Sequence, residues 1–138
     1  TIKKLNLNIV ESNEYFAKAH FLGVPIKGVE NLKEKLFGLE ANFEELHAID
    51  FKKGCYIGQE NTARMKLKNK LRRRLLPIKS KKKLNIGQEI KFKNFNVGKV
   101  LIDKPFPFAL IKLFDPNFSE FKNENLYIED DIVKIIIT

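Results

Sequence analysis

Residues 71–114 read LRRRLLPIKSKKKLNIGQEIKFKNFNVGKVLIDKPFPFALIKLF, and this stretch sets the expected architecture. Short runs of apolar and β-branched residues alternate with turn-forming residues such as Asn85-Ile86-Gly87 and Lys104-Pro105. Together with two runs that follow it, the stretch predicts six strands, over residues 71–78, 89–93, 97–103, 106–114, 125–129 and 132–137. No helix-type pattern interrupts these runs, so the spacing predicts an antiparallel barrel or sandwich.

The first 70 residues have mainly helix-type patterning. Residues 2–10 alternate between apolar and polar types, which predicts one half-buried strand. Helices are then predicted over residues 12–22 (ended by Gly23), 29–37, 39–49 and 58–68. The change of pattern predicts an α+β chain with a boundary near residue 70, between a segment of residues 1–70 and a barrel of residues 71–138.

Composition narrows the class of protein. The chain has 138 residues, of which 43% are hydrophobic and 31% are charged, and this balance favours a folded globular chain over a disordered one. Apolar runs stay well below the roughly 20 residues that a membrane helix needs, so no membrane partner is expected. The single cysteine, Cys55, excludes an intramolecular disulfide and favours a reducing compartment, for which we predict the cytoplasm.

Positive charge is concentrated in one stretch. Eleven Lys or Arg and no acidic residue lie between Arg64 and Lys83, whereas the rest of the chain has 15 basic and 17 acidic residues. A basic stretch of this kind suits an anionic partner such as a nucleic acid, a polyanionic cofactor or an acidic protein surface. A solvated face on a lysine-rich protein accounts for it equally well.

The segment Lys53-Gly54-Cys55-Tyr56-Ile57-Gly58-Gln59-Glu60 carries the densest set of special residue types. Its lysine favours a thiolate at the cysteine, its glycines permit close backbone approach, and its amide and carboxylate groups suit a polar heterocycle. A small buried thiol beside an ordinary turn remains the alternative. Neither His20 nor His47 has the spacing of a catalytic base, and both are expected to pack or to lie on the surface.

This segment resembles the signature K-G-C-Y-x-G-Q-E of the YgfZ family, relatives of the glycine-cleavage T-protein. The flanking sequence is similar as well, in the segments Leu39-Glu40-Ala41-Asn42-Phe43, Thr62-Ala63-Arg64-Met65, Arg72-Arg73-Arg74-Leu75, Ile86-Gly87-Gln88-Glu89-Ile90 and Val97-Gly98-Lys99-Val100. Since family members carry a larger N-terminal half, the resemblance implies that this chain is the C-terminal portion of a longer protein.

The resemblance further implies a tetrahydrofolate-binding protein that supports assembly or repair of iron–sulfur clusters, with indirect effects on tRNA modification. Its expected partners are folate and iron–sulfur enzymes or assembly proteins. Cys55 is the expected functional thiol, and the expected folate-binding residues are Lys53, Gly54, Tyr56, Gly58, Gln59, Glu60 and Arg64. No resident metal is expected, because one thiolate cannot complete a cluster site. Two other functions remain open: an aminomethyltransferase of the T-protein type, and a barrel that binds nucleic acid through residues 64–83.

Overall fold

The computed structural model describes residues 8–54, 59–67 and 71–136, which form a six-stranded barrel and a preceding, mostly irregular segment. The strands are β1 (Arg73–Ser80), β2 (Glu89–Phe92), β3 (Phe95–Ile102), β4 (Phe108–Lys112), β5 (Leu126–Ile128) and β6 (Asp131–Ile135). The helices are α1 (Ser12–Phe21), α2 (Gln59–Leu67) and α3 (Phe118–Phe121), and Val29–Leu32 forms a 3₁₀ helix.

The barrel is closed and entirely antiparallel. Its strand order is β1-β4-β3-β2-β5-β6, and β6 pairs back onto β1 through Ile78 and Ile135. Closure satisfies strand backbone groups that an open sheet would leave at its edges. The predicted α+β class and all six predicted strands are confirmed, and the barrel is the correct alternative of the two.

Two apolar clusters hold this architecture together. The larger one draws buried side chains from all six strands, including Ile90, Val100 and Val133, and fills the barrel interior. A second cluster contains Leu75, Leu101, Ile102, Phe108 and Leu110 and packs against Leu32 and Leu36 of the preceding segment. Each fully buried side chain of this size contributes about 1.5–3 kcal/mol. The preceding segment is therefore attached to the barrel by apolar contacts.

Two of the four predicted helices are present in the structure. Helix α1 confirms the first and α2 the last, whereas the predicted helix over 29–37 is reduced to the short 3₁₀ helix. The predicted helix over 39–49 is wrong, because this segment forms consecutive turns with left-handed backbone at Asn42 (φ 62°) and His47 (φ 54°). Backbone of this hand interrupts a right-handed helix.

Two further predictions fall partly outside the described residues. Of the predicted strand over 2–10, only residues 8–10 are described, and they have no regular structure. The predicted boundary near residue 70 lies beside residues 68–70, which are not described, and it stays a prediction. Within the described ranges, no helix combines the length and apolar composition needed to cross a bilayer.

Candidate functional site

The predicted site lies between the turns that follow Leu39 and helix α2. Three of its residues fall outside the described part of the chain, namely Cys55, Tyr56 and Gly58. Lys53 and Gly54 are exposed, and a Cβ built at Gly54 would meet no atom within 4 Å among those that the structure describes. The described part of the segment is therefore open to solvent, and the roles assigned to its residues stay predictions.

The remaining predicted residues lie on α2. Gln59 is half-buried in the first turn, and the Glu60 carboxylate accepts a hydrogen bond from Arg64 Nη2 at 2.7 Å. The Glu60 and Arg64 side chains are 82% and 61% exposed. An exposed i,i+4 ion pair stabilises a helix by only about 0.3–0.5 kcal/mol. Both charged groups can thus exchange this contact for a ligand at little cost.

Helix α2 is anchored to the turns that precede the signature. Lys66 forms an ion pair with Glu44, and its Nζ lies 3.9 Å from the centroid of the Phe51 ring. Just before the signature, the Asp50 carboxylate accepts a hydrogen bond from the Lys52 amide at 2.8 Å and closes a tight turn. Chain on both sides of the signature is therefore fixed by contacts outside the signature itself.

A buried carboxylate fastens the approach to the signature onto the barrel. Glu40 is only 3% exposed, and it accepts hydrogen bonds from Arg73 Nε at 2.8 Å and Arg73 Nη2 at 3.1 Å. Its Oε2 also accepts from the Phe37 amide at 3.0 Å. This two-pronged pairing of a guanidinium with a carboxylate is the strong, directional form of ion pair. Its partners are 33 residues apart in the sequence, so it joins two distant segments.

Backbone bonds extend the same attachment along β1. The Leu75 amide donates to the Glu40 carbonyl at 2.7 Å, and Asn42 Nδ2 donates to the Leu75 carbonyl at 2.6 Å. We call the set Glu40, Asn42, Arg73 and Leu75 the clamp. These bonds explain why residues 39–49 are not helical, since Glu40 and Asn42 direct their hydrogen-bonding groups to a strand and not along a helix axis.

Arg74, next to the clamp, has an uneven environment. Its guanidinium pairs with Glu45, but its Nε is buried without a hydrogen-bond partner among the described residues. Burial lowers the pKa of Arg74 from its ordinary value, and the nearby Glu44 carboxylate opposes this shift. Arg74 also lines a cleft of about 430 Å³ between the preceding segment and the barrel, together with Leu76 and Phe114.

These contacts change the interpretation of the basic stretch. Four of its cationic side chains, those of Arg64, Lys66, Arg73 and Arg74, form ion pairs with glutamates between residues 40 and 60. Four of the eleven cations are therefore paired within the fold. Among the described residues, the exposed cations of this stretch that form no ion pair are Arg72, Lys79, Lys81, Lys82 and Lys83. Nucleic acid binding through residues 64–83 has no support from this arrangement.

The two histidines behave as the sequence predicts. His20 is fully buried, its Nδ1 lies 2.9 Å from the Phe106 carbonyl, and its Nε2 accepts from the amides of Ile26 and Lys27 at 3.2 and 3.1 Å. The ring is therefore a structural link between α1, the loop after it and the barrel. His47 is exposed. In the described ranges, no group of three or more His, Cys, Asp or Glu side chains could hold a metal ion.

Comparison with known proteins finds relatives for part of the chain. No protein-family profile matches the chain. Part of it is similar to proteins named as mitochondrial iron–sulfur cluster assembly factors, the IBA57 homologues. The relative from Neurospora crassa is 36% identical over 70 residues, which is 51% of this chain and 16% of the relative. Those from Pyricularia oryzae and Phaeosphaeria nodorum are 36% and 40% identical over 54% and 51% of this chain.

The matched segment is a small part of each relative. It covers 16%, 19% and 17% of the lengths of these three proteins. The similarity therefore concerns one region, and the activity of a whole protein cannot be transferred from it directly. Sequence reasoning missed the clamp, although the quoted segments around Glu40 and Arg73 both contributed to the resemblance.

Proposed function

We propose that this chain is the C-terminal portion of a folate-binding protein of the YgfZ/GcvT-like type that supports assembly or repair of iron–sulfur clusters. The observation that carries the proposal is the similarity to relatives named iron–sulfur cluster assembly factors, at 36–40% identity over about half of the chain. The resemblance of residues 53–60 to the YgfZ signature supports the same assignment. The partners under this proposal are iron–sulfur enzymes or assembly proteins, and effects on tRNA modification follow indirectly from loss of such enzymes.

Cys55 is the proposed functional thiol. A cluster usually takes four thiolates, so one cysteine makes only part of a binding site. Contact with a cluster is then transient, or is completed by a partner protein. Lys52 and Lys53 lie three and two residues before Cys55 in the sequence, and a nearby ammonium group favours the thiolate form that such contact requires.

Tetrahydrofolate is the proposed cofactor. Gln59 and Glu60 offer an amide and a carboxylate suited to the polar edge of a heterocycle, and Lys53 and Arg64 offer cations suited to an anionic glutamate tail. Among the described residues of the signature, Lys53, Gly54 and Glu60 are exposed and Gln59 is half-buried. Calorimetric titration with tetrahydrofolate tests this proposal, with Glu60→Gln and Arg64→Met expected to weaken binding. Unchanged affinity in both variants would remove these residues from the site.

A rescue experiment tests the function. Cells lacking their own YgfZ-type protein receive either the unsubstituted protein, which we call the parent chain, or its Cys55→Ser form. The activity of an iron–sulfur enzyme is then measured. Rescue by the parent chain and failure of the serine form at equal protein abundance is the expected result, while Ser119→Ala, at an exposed hydroxyl far along the chain, should rescue fully. Normal rescue by Cys55→Ser refutes the thiol role, and failure of the parent chain refutes the pathway.

The cellular compartment of the protein is tested by a separate experiment. A cytoplasmic location remains our prediction from the single cysteine, whereas the names of the relatives place those proteins in mitochondria. Fluorescent tagging of the parent chain distinguishes the two. Mitochondrial signal would make the cytoplasmic prediction wrong without affecting the proposed role.

A further inference from the structure

A cationic groove lies on the barrel, separate from the signature. It has a volume of about 560 Å³ and is lined by residues from β1, β3, β4, the loop before β2 and the segment after the 3₁₀ helix. Four of the lining side chains are cations, Lys35, Arg73, Lys99 and Lys112, and no lining residue is a carboxylate. We call this surface the lysine groove. Its volume is within the range of small-molecule sites, about 300–1,000 Å³.

The strand register brings like charges together in this groove. Arg73 on β1 stands directly opposite Lys112 on β4, and Lys99 on β3 stands opposite Leu110, two residues along β4 from Lys112. Like charges that face each other across antiparallel strands destabilise a sheet. An anion in the groove would relieve this repulsion.

The surrounding carboxylates compensate only part of the charge. Glu40 forms an ion pair with Arg73. Glu89 stands opposite Lys99 in the register of β2 and β3 but does not form an ion pair with it. Within the described residues, Lys35 and Lys99 take part in no ion pair, and Lys112 Nζ donates only to the Asn96 carbonyl at 2.9 Å. With both glutamates counted, the four cations leave a surplus of two positive charges.

The floor of the groove is apolar. Val100, Leu101 and Leu110 are buried there, and the backbone of Gly98 lines the groove beside them. A Cβ at Gly98 would lie 2.7 Å from Ile111 Cδ1, so the backbone packs closely against the neighbouring strand. Cations around a short apolar floor suit a compact ligand that carries anionic oxygens.

We propose that the lysine groove binds a small-molecule polyanion, a phosphate ester or a polycarboxylate with at least two negative charges. The ligand accepts charge-assisted hydrogen bonds from Lys35, Lys99 and Lys112. Arg73 adds positive electrostatic potential while it remains paired with Glu40 in the clamp. The exposed lysines after β1 do not line the groove, so the site differs from a diffuse basic surface. This ligand is additional to the proposed folate, and the proposal does not depend on the role of Cys55.

Titration monitored by amide chemical shifts tests the proposal on the full chain. Pyrophosphate and citrate are added separately at constant ionic strength, and the amides of Gly87, Gly98 and Lys99 are followed. Saturable shifts at these positions are expected, and the stronger of the two probes identifies phosphate or carboxylate as the preferred chemistry. Lys99→Gln and Lys112→Gln should each weaken binding roughly tenfold, because each removes a charge-assisted hydrogen bond.

The matched control is Lys134→Gln. Lys134 is an exposed lysine on β6, also opposite a like charge, Lys79, but it does not line the groove. Its removal should leave the affinity unchanged. The proposal is overturned if neither pyrophosphate nor citrate saturates the shifts below about 10 mM. Equal weakening by the control, or shifts of equal size at Lys81 to Lys83, also overturns it, because each indicates general attraction of anions.

Discussion

Removing the guanidinium of the clamp should be far more damaging than removing an exposed one. Arg73→Met keeps the aliphatic stem but leaves the Glu40 carboxylate, 3% exposed, with only the Phe37 amide as a charge-stabilising partner. Breaking a buried ion pair from one side usually costs about 3–5 kcal/mol. Since the Arg73 side chain is itself 42% exposed, we expect a cost about 1 kcal/mol lower, about 2–4 kcal/mol.

A double-mutant cycle isolates the pair. Glu40→Gln removes the charge but keeps a hydrogen-bond acceptor, so it should cost only about 1–2 kcal/mol. The double variant should be no less stable than Arg73→Met alone, because no unpaired carboxylate remains in it. The resulting coupling energy should be about 1–3 kcal/mol. Urea unfolding followed by far-ultraviolet circular dichroism measures all four proteins, a suitable probe because the chain has no tryptophan.

The same substitutions at the exposed pair provide the matched control. Glu60→Gln, Arg64→Met and their combination should give a coupling energy below about 0.5 kcal/mol, since both side chains are mostly exposed. If the costs of Glu40→Gln and Arg73→Met simply add, the clamp is not an energetic unit. That result would refute our account of the Glu40–Arg73 pair as the contact that fastens this segment to β1.

Three other expectations follow from single contacts. His20→Asn should lower the free energy of unfolding by about 2–3 kcal/mol, because the buried ring accepts hydrogen bonds from the Ile26 and Lys27 amides. His47→Asn, at an exposed position with left-handed backbone, should change it by less than about 0.5 kcal/mol. Urea unfolding midpoints measure both effects. Gly98→Ala should cost about 1–3 kcal/mol by overpacking, and an unchanged midpoint would contradict the close strand approach. The hydrogen bond from Ser80 is the main cause that lowers the pKa of Asp131, so Ser80→Ala should raise that pKa in an NMR titration. A carboxyl with a lowered folded pKa stabilises the fold above its unfolded pKa, and this contribution disappears as the pH falls through the folded value, so Ser80→Ala should also flatten the loss of stability in acid.

The barrel could be predicted from sequence because its information is local. Each strand is a short apolar run bounded by turn residues, as around Gly87 and Pro105, and three of the six strand pairings join consecutive strands through short turns. Closure follows because six short strands of this kind leave no better way to satisfy their edges. The strand boundaries moved by only a few residues between prediction and structure.

The segment before the signature could not be predicted in the same way. Leu39, Phe43, Leu46 and Ile49 have helical spacing, but Phe43 is 42% exposed and the spacing does not describe a buried face. The bonds that decide its conformation join Glu40 and Asn42 to β1, 33 residues away in each case. Local patterning contains no information on partners at that distance. The pairing of Arg64, Lys66, Arg73 and Arg74 with glutamates was hidden for the same reason.

The clamp couples the position of β1 to the residues on both sides of the signature. Residues before the signature are bonded to β1 through Glu40 and Asn42, and α2 after it is bonded back to those same turns through Lys66 and Glu44. Displacing β1 would therefore shift both flanks of the signature together. If Cys55 acts as proposed, Arg73→Met should reduce rescue of iron–sulfur enzyme activity at equal protein abundance while leaving the thiol itself in place. Arg72→Met is the matched control, because it removes an exposed guanidinium next to Arg73 that forms no ion pair among the described residues, and it should rescue fully.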